Sequence, residues 1–172
     1  MNWRPVAAAS VFVLSASAAV AASLLPGANS KDPYTVDAAK LDYFDKEQKL
    51  VYTGEVVATQ GQTKVRGTVM TIYLDKSGAG GSQEVRRVEM KGPVTVVQKD
   101  RVGTGNTGVY DKSENKWYLI GNVTLTQGTT VTQGDRLIYD LGTGRATVAG
   151  GARTVLTPSE TKDPPKDAKE KK

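Results

Sequence analysis

The sequence predicts an all-β protein made of repeated antiparallel hairpins, and three observations predict it. Apolar and polar residues alternate around glycines 54, 92 and 121, and Gly150 continues the series. Turn-forming stretches that open on Asp recur at near-even intervals, at Asp45, Asp75, Asp111 and Asp140. After the N-terminal apolar stretch, no segment convincingly spaces its apolar residues three and four apart, as a helix face requires.

The chain opens on MNWRPVAAASVFVLSASAAVAAS. Arg4 supplies a positive start, Val6 to Val20 a short apolar stretch, and Ala19-Val20-Ala21 the small-x-small pattern that a signal peptidase cuts. An export signal over 1–21, cleaved after Ala21, is the expectation. The alternative is an uncleaved anchor, because the run from Pro5 to Leu25 is long enough to span a membrane if its serines are ignored.

A first strand is expected over Pro33–Ala38. The stretch LDYFDKEQKL then reads as two strand ends around a turn. Three long strands follow, each with a glycine at its middle. Two positions before Gly54, Gly92 and Gly121 stand Tyr52, Met90 and Leu119, and four before stand Leu50, Val88 and Trp117. Two positions after come Val56, Val94 and Val123, four after come Ala58, Val96 and Leu125, and six after comes Gln each time: Gln60, Gln98 and Gln127. Residues two apart share one face of a strand, so each segment has one apolar face and one polar or mixed face. A glycine inside such a run marks a bulge or a close approach to the backbone.

The turns DKEQK, DKSGAGGSQE, DKSENK and DLGTGR lie between these strands. Asp suits their first position because its carboxylate accepts from amides two residues on. Apolar runs ending near Tyr (TIYLD, GVYD, LIYD) precede three of the turns and read as partner strands. One such unit is too small to close a core, so neighbouring units must stack. The first strand and the last, Ala146–Leu156, are then open edges able to pair with another chain. The tail 158–172, PSETKDPPKDAKEKK, lacks large apolar residues and is expected to be disordered and solubilising; docking through Lys169, Lys171 and Lys172 is the alternative reading.

Composition narrows the function. The 172 residues include no His and no Cys, which removes the usual general base, the thiol nucleophile, disulfides and the commonest zinc ligands. A net charge of +5 with interspersed acids argues against duplex nucleic acid as a partner. GTGNTG at 103–108 matches a dinucleotide-binding pattern but no helix follows it, so it reads as a glycine-rich hairpin connection. Asn122-Val123-Thr124 lies within a strand and is discounted as a glycosylation acceptor. Asp37, Asp42, Asp45 and Glu47 lack the ligand spacing of a calcium loop, and no pair of acids stands out for glycoside cleavage. No catalytic residue, cofactor or metal is expected.

The phrases VDAAKLDYFDKEQKLVYTGEVVATQG (36–61) and LIGNVTLTQGTTVTQGDRLIYDLGTGRATVAGG (119–151) closely resemble the OstA-like family. The resemblance covers 33–157. It departs in the middle copy, GPVTVVQKDRV, where Pro93 and Lys99 replace the usual residues. It implies a twisted, open β-jelly roll over 33–157 and a non-enzymatic role in the periplasm. The implied role is to carry lipopolysaccharide, with its lipid A acyl chains in an apolar trough. The implied partners are the periplasmic component of the inner-membrane ABC exporter, the outer-membrane translocon and further copies joined head to tail. The trough lining would be Leu50, Tyr52, Val56, Met90, Val94, Val96, Trp117, Leu119, Val123 and Leu125, with Tyr34 and Val36, by family resemblance, near the entry end. Lys40, Lys64, Arg66, Arg86 and Arg87 are candidates to meet phosphates at the rim. The competing expectations are a membrane-anchored docking subunit of the same fold and an exported carbohydrate-binding or hydrolytic β protein.

Overall fold

The computed structural model describes residues 25, 26, 28, 32–75 and 84–156. The expected signal and tail, and most of the turn after Asp75, lie outside the described residues. Ten strands form: β1 (Tyr34–Asp37), β2 (Lys40–Phe44), β3 (Lys49–Gln60), β4 (Thr63–Asp75), β5 (Glu84–Gln98), β6 (Arg101–Asp111), β7 (Lys116–Gln127), β8 (Thr130–Asp140), β9 (Ala146–Ala149) and β10 (Arg153–Leu156). No helix occurs among the described residues. All pairings are antiparallel, and the strands make a single sheet in the order β1-β3-β4-β5-β6-β7-β8-β10, with β2 also on β3 and β9 also on β8. The fold is an open β-jelly roll: β1 and β2 form one edge, β9 and β10 the other.

The repeat glycines set the shape. Gly54, Gly92, Gly121 and Gly150 all have positive φ, at 83°, 93°, 80° and 78°. In β3, β5 and β7 the glycine and its follower form a bulge, leaving one extra residue unpaired against each neighbouring strand. Glu55 and Asn122 share the left-handed conformation, with φ of 47° and 48°. Pro93 takes the same place in β5, where it interrupts no ladder pairing. A bulge bends and twists its strand, so a row of bulges across the sheet curls it along one line. The burial confirms the curl, because Val56, Val65, Met70 and Met90 are fully buried on one face of a single sheet.

Register ties the inner face into rungs. Ala58, Val65, Val96, Gly103, Leu125 and Thr132 stand opposite one another in sequence across β3 to β8. Beyond the bulges, Tyr52, Met70, Met90, Gly108, Leu119 and Leu137 form a second row, and Leu50, Ile72, Val88, Tyr110, Trp117 and Tyr139 a third.

Two expectations change. The stretch GTGNTG is no hairpin connection; it lies wholly inside β6. Its inward glycines 103, 105 and 108 make room for bulk from neighbouring strands: a Cβ on Gly108 would stand 2.8 Å from the Trp117 ring, and one on Gly103 3.0 Å from Leu119 Cδ1. The expected last strand is two, broken where Gly150 and Gly151 both turn left-handed. The two strand ends expected around LDYFDKEQKL form, as β2 and the start of β3, and β2 shares the N-terminal edge with β1 on the two halves of β3.

Candidate functional site

All twelve predicted lining residues are brought to the inner face. Val56, Met90, Val94, Val96, Trp117, Leu119 and Val123 are buried in one apolar cluster, and Tyr34, Val36, Leu50, Tyr52 and Leu125 pack against it partly exposed. Alternation located the ten on β3, β5 and β7 because those strands keep one phase through their central bulges, whereas Tyr34 and Val36 on β1 came from the family resemblance. Packing fills most of this interior. Burial, together with neighbouring Tyr52, pushes the Tyr34 phenol well above its ordinary range, and its hydroxyl donates to Met70 Sδ at 3.7 Å.

Open space remains along β5 to β8. A cleft of about 350 Å³ is lined by Val96, Gly103, Leu119, Leu125, Leu137 and Tyr139, with Trp117, Gly144, Ala146 and Pro26 beside them. Its mouth is polar. Gln60, Thr63, Gln98, Arg101, Gln127 and Thr130 stand opposite one another in a single rung where three hairpins turn. Gln98, Arg101 and Gln127 of that rung line the cleft. Arg101 is exposed and enters none of the five ion pairs among the described residues. The site therefore places one cation and several amide groups at the opening of an apolar slot.

The predicted rim cations stand elsewhere. Lys64 and Arg66 alternate with inward Thr63, Val65 and Gly67, so they project from the outer face. Lys40 pairs with Asp42 at 2.8 Å, and Arg86 stacks over the Tyr73 ring at 5.7 Å. Arg87 donates to Glu89 at 2.8 Å and to Asp111 at 3.1 Å. Hydrogen bonding from Ser113, with Arg87 also nearby, holds the Asp111 carboxyl below its usual range. None of the five lines the cleft.

Sequence reasoning missed Arg101, Leu137, Tyr139 and the stretch at Leu25. Arg101 had a signal: once 101–111 is read as a strand, it falls between the repeated glutamines 98 and 127. Leu25 had none. It lies outside every repeat, yet it is wholly buried in the apolar cluster. Its N–H donates to Gln60 Oε1 at 3.2 Å, and Thr63 Oγ1 donates to the Pro26 carbonyl at 2.9 Å.

Comparison with known proteins agrees with this architecture. A solved structure of LptH from Pseudomonas aeruginosa, described as the LptA homologous periplasmic component of the conserved lipopolysaccharide transport device, superposes with a TM-score of 0.63. The match is 26% identical and covers 74% of this chain and 96% of that one. The lipopolysaccharide export system protein LptH of Pseudomonas aeruginosa is 30% identical over 149 residues, covering 80% of this chain and 82% of the relative. An uncharacterized protein of Rhizobium meliloti (strain 1021) is 28% identical over 158 residues, with 84% of each covered. A family profile described as "LptA/(LptD N-terminal domain) LPS transport protein" matches residues 35–145. An open antiparallel sheet with its greasy rows inward and a profile match spanning most of that sheet lead to one assignment: the chain belongs to the LptA/(LptD N-terminal domain) family of lipopolysaccharide-transport proteins.

Proposed function

We propose that the chain is a non-enzymatic periplasmic carrier that shelters the acyl chains of lipopolysaccharide inside the jelly roll. The reading places it as a bridge between inner- and outer-membrane transport complexes. The observation that carries the reading is the cleft: apolar walls from β5 to β8, a mouth of amides and one unpaired arginine, in a fold whose family transports lipopolysaccharide. Water is a poor medium for this cargo. Each exposed CH2 costs about 0.8 kcal/mol, so an acyl chain of about a dozen carbons costs on the order of 10 kcal/mol outside a shelter. Arg101 suits a phosphorylated sugar held at the surface while the chains go in, because a guanidinium matches phosphate oxygens in pairs.

Transport needs directionality but no bond chemistry from this chain, so the carrier requires no catalytic residue. The open edges supply the route. β1 and β2 at one side and β9 and β10 at the other carry unpaired main-chain groups, which suit strand addition by the exporter's periplasmic component, by the outer-membrane translocon and by further copies head to tail. Leu41 and Tyr43 share the inner face with Tyr52 and Leu50 and are exposed at the first edge, as is Leu156 at the last. An apolar interior would thus continue across a joint.

The test is a pair of photo-crosslinkers on β7. One at Leu125, on the inner face, is expected to label with lipopolysaccharide; one at Thr124, on the outer face, is not. Equal labelling at both positions would refute the reading.

A further inference from the structure

Gln60 and Thr63 are the buried polar residues of this protein among those described, at 0% and 1% exposure. Both belong to the end of the apolar trough, and both engage main chain that is not part of the sheet. Gln60 accepts from the Leu25 N–H and donates to the Asp32 carbonyl at 3.4 Å, while Thr63 donates to the Pro26 carbonyl. The Leu25 side chain enters the trough and is wholly buried, with Ala28 packed behind it. Leu25 and Pro26 are both buried, and both stand outside every strand.

We propose that Gln60 and Thr63 form a subsite for an amide-linked acyl chain, and that the stretch at Leu25 and Pro26 is an internal occupant that leaves when such a ligand enters. The inference rests on the carrier reading and gives it a specific ligand group. Leu25 presents an amide N–H and Pro26 a carbonyl beside the apolar leucine branch, and an acyl chain joined through a secondary amide carries the same donor, acceptor and apolar groups. The glutamine side chain offers both an acceptor and a donor, so it can replace one amide partner by another without leaving a buried polar atom unmatched.

Geometry supports displacement. Leaving breaks no strand pairing, because the stretch contributes none. Pro26 is also a wall of the neighbouring cleft, so its departure joins the space held by Leu25 to that cleft. Joining them matters, since about 350 Å³ lies at the low end of ligand pockets, which run to about 1,000 Å³. A lipid with several chains needs the larger volume.

The chain contains no cysteine, so a single engineered disulfide is unambiguous. Pro26→Cys with Thr63→Cys, two residues already in hydrogen-bond contact, is expected to lock the occupant in when oxidised. Lipopolysaccharide should then bind about tenfold more weakly than to the same protein reduced, because ligand reaches only the vacated state. Both states are one polypeptide, so a folding defect does not confuse the comparison. The second arm compares N-dodecanoylglucosamine with dodecyl glucoside on a Gln60→Leu variant. The amide probe is expected to lose about tenfold in affinity while the ether probe keeps it. Oxidised protein binding lipopolysaccharide as tightly as reduced protein, or equal losses for both probes, overturns the subsite and leaves the carrier standing. Failure of every form to bind lipopolysaccharide overturns both.

Discussion

At the scale of single residues, glycine decides how the interior is filled. β6 places Gly103, Gly105 and Gly108 inward where its neighbours carry large side chains. Trp117 is buried against that bare backbone, so the tryptophan and the glycine are one packing unit rather than two independent residues. Gly108→Ala puts a methyl 2.8 Å from the Trp117 ring and 3.3 Å from Val94 Cγ1. Both are held by strands that cannot retreat without breaking pairings. Overpacking of this kind costs about 1–3 kcal/mol. The expected outcome is a melting temperature lower by several degrees, followed by circular dichroism. An unchanged melt would show that the row yields and the packing argument is wrong.

At the scale of elements, the edges carry the interest. Every inner strand is paired on both sides, whereas β1, β2, β9 and β10 each leave one side of their backbone free. β10 is short and its Leu156 is 71% exposed on the inner-face side. Natural edges are commonly blunted by lysine, because a charge cannot be buried against an incoming strand. Thr154→Lys with Leu156→Lys is therefore expected to reduce oligomers without unfolding the domain, since both side chains are already exposed. Sedimentation velocity at several concentrations reads the change, and an unaltered profile would remove β10 from the joint. The same scale explains what the chain disclosed in advance. In β3 and β7 the bulge adds one residue and the inward positions stay two apart from end to end, and in β5 they do so from Val88 onward, a second bulge at Arg86 bringing Val85 inward. Leu50, Tyr52, Val56 and Ala58 show the pattern in β3. Their partners pay no such insertion, so their inward phase changes midway: Thr63, Val65 and Gly67, then Met70, Ile72 and Leu74 in β4. Alternation broken in this way is hard to read as one strand. In β6 the inward residues are also glycines, and so the strand looked like a loop.

At the scale of the molecule, the sheet is a curled wall with two free edges, a packed interior and a cleft along β5 to β8. The cleft reaches exposed residues at both ends, Arg101 and Gln127 at one and Gly144 and Ala146 at the other. That shape suits a segment of a longer conduit better than a closed vessel, because the cleft is lined by exposed residues at both ends of the strands. Whether the N-terminus stays attached decides between a released bridge and a membrane-tethered docking subunit. Cleavage after Ala21 predicts a mature protein that starts at Ala22, three residues before Leu25, and intact mass with N-terminal sequencing of exported protein checks it. A chain that keeps Met1 to Ala21 would move the protein to the docking role. A start at Ala22 also leaves the residues that enter the trough close to a free end, which suits an occupant that comes and goes.

Ten inward-facing residues of β3, β5 and β7, the irregularities at their central glycines and the antiparallel hairpins were legible in the amino-acid sequence, because period-two alternation and repeated spacing are local properties of a strand. Tyr34 and Val36 came with the family resemblance. The cleft, the cation at its mouth and the buried Leu25 were decided only by tertiary structure. Register across six strands sets Arg101 between Gln98 and Gln127, and curling brings a distant stretch of chain onto Gln60 and Thr63. Neither follows from any window of sequence: a rung is made of residues far apart in the chain, and what fills a trough depends on which neighbours leave room.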